Sequence, residues 1–147
     1  MVDIITQLEE FAEDNNYHFI FGSDEYQNAD RHGYKDGEIV IALDMTDETE
    51  TYSNENVLAP TSTTYNYVVN FGRKFEDKDS GTVSSLDETM KQKYDRRLQV
   101  LKSLAKTKIL QFACANNLGI QIIKYGLAIN MFNDNIDFVS LEITFVN

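Results

Sequence analysis

Residues 120–146, IQIIKYGLAINMFNDNIDFVSLEITFV, carry the reading that decides the fold class. In 136–146, Val139, Leu141, Ile143 and Phe145 alternate with Ser140, Glu142 and Thr144, the period of a strand with one apolar face. Residues 120–129 predict a second strand. Asn130 to Asn135, NMFNDN, is rich in turn formers and predicts a hairpin between them. Phe138 interrupts the alternation, which predicts a bulge there.

Upstream, Ser85-Leu86-Asp87-Glu88 has the form of a capping box and should open a helix over roughly 86–117. Apolar residues then recur in steps of three and four: Leu86, Met90, Tyr94, Leu98, Leu101, Leu104 or Ala105, Ile109 and Phe112. Asn117-Leu118-Gly119 is a C-terminal stop. A helix of this length would span about 45 Å and extend past a small domain, so part of it should overhang or pack on a neighbour.

Farther upstream, 63–75 (TTYNYVVNFGRKF) and 38–46 (EIVIALDMT) alternate as strands, and Tyr17 to Phe21 is a short aromatic strand. Residues 3–15 predict a helix with Asp3 as its N-cap and Ile4, Leu8 and Phe11 or Ala12 on one face. Residues 22–37 and 76–84 have loop composition. Residues 47–62, DETETYSNENVLAPTS, hold four acids, no base and the single proline, and predict an exposed acidic loop or hairpin arm.

The predicted order is α-β-β-β-α-β-β. The class is α+β: one domain over 1–147, an antiparallel sheet of about five strands, and a short and a long helix packed on one face. The 147-residue length supports a single core. The longest apolar runs, such as 39–43, reach five residues, far below the roughly 18 of a membrane span. The N-terminal residues lack the pattern of a signal peptide. Cys114 is the only cysteine, which excludes an internal disulfide and fits assembly inside a cell.

Net charge is −11, from 24 acids and 13 bases. That balance argues against the chain as a whole gripping nucleic acid, which needs clustered Lys and Arg. The charge is also polarised. Residues 1–88 carry 20 acids and 5 bases, and residues 89–147 carry 4 acids and 8 bases. Seven of the 13 bases fall between Lys91 and Lys108, opposed there only by Asp95. Such asymmetry steers partners, or copies of one chain, together.

The catalytic patterns fail one by one. Cys114, late in the long helix, has the surroundings of a buried structural cysteine and no evident base. There is no Gly-x-Ser-x-Gly elbow and no phosphate-binding glycine loop. Asn28 to Gly33 resembles the opening of a calcium loop, but the twelfth position would be Ile39, which offers no oxygen. His18 suits an outward strand position better than a ligand. The expectation is a chain without catalytic residues, metal or cofactor.

The element order resembles the tail-terminator and neck-ring proteins of tailed bacteriophages, over the whole chain from Ile4 to Val146. The Asn-, Asp- and Tyr-rich, Cys-poor texture also resembles crAss-like phages. The resemblance implies a helix packed on the sheet before a final hairpin, and a loop between the second and third strands, here 47–62, that reaches neighbouring rings. It implies a structural virion protein that oligomerises as a ring at the head–tail junction, next to portal, neck or tail proteins. DNA would pass through without specific binding, and no membrane is involved. That family has no signature residues, so no site residue is carried over. The charge pattern supplies the candidates: Lys91, Arg96, Arg97, Lys102 and Lys106 on one subunit against Asp44, Asp47, Glu48 and Glu50 on the next. The alternative expectation is a small acidic inhibitor or immunity protein that binds a basic enzyme by mimicking nucleic acid, with the same four acids as its contact set.

Overall fold

The computed structural model describes residues 3–22, 35, 37–55, 57–74, 89–131 and 136–147. Helix α1 (Ile4–Asp14) opens as predicted: the Asp3 carboxylate accepts from the Thr6 amide at 3.1 Å and from its hydroxyl at 2.7 Å. The Thr6 bonds stabilise the charged form and hold the Asp3 carboxyl below its ordinary value. Strands β1 (His18–Phe21), β2 (Ile39–Thr51) and β3 (Ser62–Lys74) follow. The long helix, α2, comprises an α segment Met90–Lys93, a π-helical segment Tyr94–Leu98 and an α segment Gln99–Ala115. Strands β4 (Gly119–Met131) and β5 (Ile136–Val146) close the chain. Asn16 and Asn117, at the ends of α1 and α2, both take the left-handed conformation, at φ 58° and 54°. The predicted capping box at 85–88, the loop at 76–84, most of the 22–37 loop and most of the Asn130 to Asn135 turn lie outside the described residues.

The α+β class stands, with five strands among the described residues, in the order β1-β2-β3-β5-β4. One pairing departs from the antiparallel expectation. β1 runs parallel to β2, with His18 opposite Val40 and Phe21 opposite Leu43, so the sheet is mixed. The other pairings are antiparallel. A tight hairpin forces antiparallel neighbours, but the residues between Phe21 and Ile39 are numerous enough for a crossover. Parallel pairing also lets α1 enter from the face that α2 covers.

Two further expectations change. β2 continues to Thr51, five residues past its predicted end, so the loop after it shrinks to 52–61. A register shift between Met45 and Asp47 changes the phase of the strand and hides its periodicity in the sequence. β5 pairs with β3 in unbroken register, so Phe138 itself is not bulged; the irregularity lies opposite it, where β4 takes one more residue than β5 between the Ala128–Phe138 and Met131–Ile136 pairs. The alternation at Phe138 is real but inverted. Asp137 points to the helix side, and Phe138 points to the opposite face with Ile20, Val40, Ala42 and Ile136.

The main core lies between the two helices and one face of the sheet. Ile4, Leu8 and Ala12 of α1 and Leu98, Leu101, Ala105, Ile109 and Phe112 of α2 cover Ile41, Leu43, Tyr67, Val69, Phe71, Val139, Leu141 and Phe145. Phe112 stands edge-on to both Phe11 and Phe145, at centroid distances of 5.7 and 5.8 Å, and ties both helices to the sheet. Gly72 is required by the second face: a Cβ there would lie 2.4 Å from the Phe138 ring and 2.8 Å from Val40.

Candidate assembly interface

The β2–β3 hairpin places the predicted acids. β5 keeps pace with β3 to Thr64, opposite Val146, and Asn147 then exchanges two backbone bonds with Thr63. Beyond them, the Thr51–Ser62 rung leads into the connection 52–61. Tyr52 is half exposed there, Val57 is 71% exposed and Leu58 is 94% exposed. Thr61 ties the base of this arm by donating from both its amide and its hydroxyl to the Thr51 carbonyl.

The bulge divides the four acids between the two faces. Asp47 accepts from the Asn66 amide, which in turn accepts from the Thr144 hydroxyl at 2.7 Å, on the face away from the helices. Asp44, opposite Val68, lies on that face too. Glu48 and Glu50 lie on the helix side, where with Asp3, Ile4, Ile5, Thr63, Tyr65 and Tyr67 they line a depression of about 220 Å³. The Tyr67 hydroxyl donates to Glu48 at 3.0 Å. Burial, with Glu48 as acceptor, pushes that phenol well above its ordinary value. Tyr52 donates to Glu50, and its own phenol is raised by that bond.

The bases are arranged differently from the sequence expectation. Arg97 is not on an outer flank. It is 7% exposed and grips Asp137 through two parallel bonds, Nε to Oδ2 at 2.8 Å and Nη2 to Oδ1 at 2.5 Å. The π-helical segment turns Arg97 and Leu98 inward together, and this one extra-wide turn removes Arg97 from the surface set. Lys91 is exposed and paired with Asp95 one turn on. Arg96 is exposed. Lys102 sits 4.7 Å from the centre of the Tyr125 ring, a cation–π contact. Lys102 and Lys106, with Gln99 and Ser103, line a shallow depression of about 240 Å³. Lys108 turns away from them and donates to Asn15 at 2.8 Å, tying α2 to the end of α1.

Cys114 is exposed, contrary to the buried position expected. Phe112 and Ala113 take the inward positions of that turn, which rotates residue 114 to the outside. His18 is outward, as expected, and bonds Glu38, whose carboxyl that bond holds below its ordinary value. No three His, Cys, Asp or Glu side chains cluster among the described residues. The calcium-loop resemblance at 28–33 falls outside them. No helix among them is long and apolar enough to cross a membrane.

Sequence reasoning missed the apolar component of these surfaces. On the outer side of α2, Val100 is 53% exposed and Leu110 is 46% exposed, and they align with Ser103, Thr107 and Cys114. The spacing 100, 103, 107, 110, 114 is itself a three-four repeat. It was concealed by the stronger repeat on the inner side. At the arm, Val57-Leu58-Ala59 is the one apolar run in an otherwise mostly polar stretch, and that isolation was the available signal.

The arm leaves the end of the sheet marked by Val146. The buried Arg97 is fixed at Asp137, nine residues back along β5 and so about 30 Å away, while Lys102 lies over Tyr125 in the row of Leu141, at mid-sheet. The chain matches no protein-family model, and a search of curated proteins finds no relative.

Proposed function

We propose that the chain is a structural subunit that assembles with copies of itself into a ring at the head–tail junction of a tailed bacteriophage, as a terminator or neck ring. The observation that carries this reading is the β2–β3 arm, which runs past the sheet and ends in exposed Val57 and Leu58. Apolar side chains this exposed on an acidic arm suit a neighbouring subunit. Acidic and basic groups on separate elements, β2 with its arm and α2, favour head-to-tail contacts, which close into rings. A charge of −11 per copy, multiplied around a ring, would repel the phosphates of DNA and let it pass unbound. Portal, neck or tail proteins would be the neighbours in the virion. No catalytic role and no cofactor belong to this reading.

The acidic-inhibitor alternative needs Asp44, Asp47, Glu48 and Glu50 on one surface. Their division two and two across the sheet counts against it.

Light scattering on a sizing column at low and moderate salt tests the proposal. The expected mass is a closed multiple of 16.9 kDa that weakens as salt rises. A chain that stays monomeric at high concentration and joins no portal or tail protein overturns it.

A further inference from the structure

We infer that the outer edge of β4 pairs with the β4 edge of a second copy, antiparallel about a two-fold axis at Tyr125, so that two sheets become one. This goes beyond the ring reading, and the contact is separate from the head-to-tail contact proposed there.

Among the described residues β4 has a neighbour on one side only, β5. In an antiparallel pair the N–H and C=O groups of alternate residues point away from the partner strand, so half of those on β4 face outward. Such an edge is a template for another extended segment. Residues 122–128 keep unbroken register with β5, and register shifts bound this run at Ile120/Ile122 and at Ala128/Met131. The regular part holds no proline and one charge, Lys124. Its apolar side chains stay open on both sides of the sheet: Ile122 is 49% exposed beside Thr144 on the far side, and Leu127 is 38% exposed on the helix side.

The run itself selects the occupant. A two-fold axis normal to the sheet sets helix side against helix side. Centred on Tyr125, it places Ile123 opposite Leu127 of the second copy, Tyr125 opposite its equivalent, and Lys124 opposite Gly126. Apolar groups then meet apolar groups, and the lysine stem crosses the space of a missing side chain. The Lys102 ammonium of each copy, 4.7 Å from its own Tyr125 ring centre, flanks the paired rings. Centred on Lys124, the axis would set two ammonium groups face to face. Centred on Gly126, it would put Ile123 opposite residue 129, beyond the regular run. Only the Tyr125 centre overlaps the run from end to end. The other outer strand among the described residues, β1, has four residues and cannot cover it. A second copy supplies the matching pattern by symmetry.

The contact is made by main-chain bonds and apolar side chains, between copies that each carry −11. Raised salt screens that repulsion and should tighten it, whereas the charge-steered ring contact loosens.

Two tagged chains test this, each also carrying Cys114→Ser: one with Lys124→Cys, the other with Gly126→Cys. A Cβ at Gly126 would lie 3.6 Å from that of Ser140, an ordinary contact, so the fold admits it. The chains are mixed at raised salt and mildly oxidised. The expected product is the mixed disulfide, in at least tenfold excess over either like-with-like product, because 124 and 126 of the two copies lie directly opposite. Leu127→Glu in both chains should lower its yield tenfold or more, with circular dichroism checking that each chain folds. Hydrogen exchange on the unsubstituted chain is the second measurement: alternate amides of 122–128 should slow at least tenfold as concentration rises. Exchange there that ignores concentration, or like-with-like disulfides in excess, overturns the pairing. Closed rings by scattering without the mixed disulfide overturn the pairing and leave the ring. Mixed disulfides in a species of two chains at every salt uphold the pairing and overturn the ring. Monomers without cross-links overturn both.

Discussion

Asp137 is 3% exposed, and Arg97 is the guanidinium that neutralises it. Arg97→Ala would leave that carboxylate uncompensated beneath α2. Urea unfolding should show a loss of about 3–5 kcal/mol, whereas replacing both residues with apolar side chains of similar volume should cost less than the single change. Tyr67 gives a second residue-level prediction, in pH. Its phenol is raised in the folded chain, so above pH 10 the unfolded chain releases a proton that the native one keeps. The resulting stability is fully present below pH 10 and is lost as pH rises through the native value. Tyr67→Phe should cost about 1 kcal/mol at pH 7, for the bond to Glu48. It should also flatten the alkaline fall in melting temperature, which calorimetry from pH 8 to 11 would show.

At the scale of elements, the arm and the core are separable. The rungs that join β2 to β3 below Glu50 belong to the sheet, and residues 52–61 bury none of their described side chains. Replacing 52–61 with Asn-Gly should change stability by no more than about 0.5 kcal/mol while removing the ring, read by chemical unfolding and by scattering. Most element identities were legible in the sequence because burial imposes a period. β5 matches its predicted bounds because its alternation is complete, and α1 was announced by Asp3 and its apolar spacing. What stayed hidden has physical causes. A bulge at Met45/Asp47 shifts the phase of β2, so its outer half does not look like a strand. A π-helical turn in α2 redirects Arg97 inward, and its partner Asp137 lies 40 positions away in sequence. Parallel pairing of β1 depends on the chain's path, which composition does not encode. At the candidate interface, Lys102, Lys106 and the β2 acids could be named from charge alone. Which acids share a face could not, because that depends on one inserted residue.

At the scale of the whole molecule, sequence polarity becomes spatial polarity. Acids dominate residues 1–88 and bases the segment 91–108, and the fold sends the arm to one end and anchors α2 near the other. Attraction between exposed charges is screened beyond about 10 Å at 0.1 M salt. Assembly of the whole chain should therefore loosen between low and moderate salt, while the melting temperature of the separated subunit, held by its apolar core and the buried Arg97–Asp137 pair, should move little. Scattering and calorimetry on the same salt series would separate the two effects.

The strand order carries a temporal consequence. β5 follows every other described strand in the chain, yet in space it lies between β3 and β4. While a ribosome is still making the chain, β4 has no neighbour to join and β3 is open along one whole side. This strand is thus the keystone: until it is inserted, α2 has only half a floor to pack on. A nascent chain cannot finish this core until β5 has emerged, so its two faces mature together after that point. Premature contact between half-made copies is thereby discouraged by the order in which the polypeptide emerges.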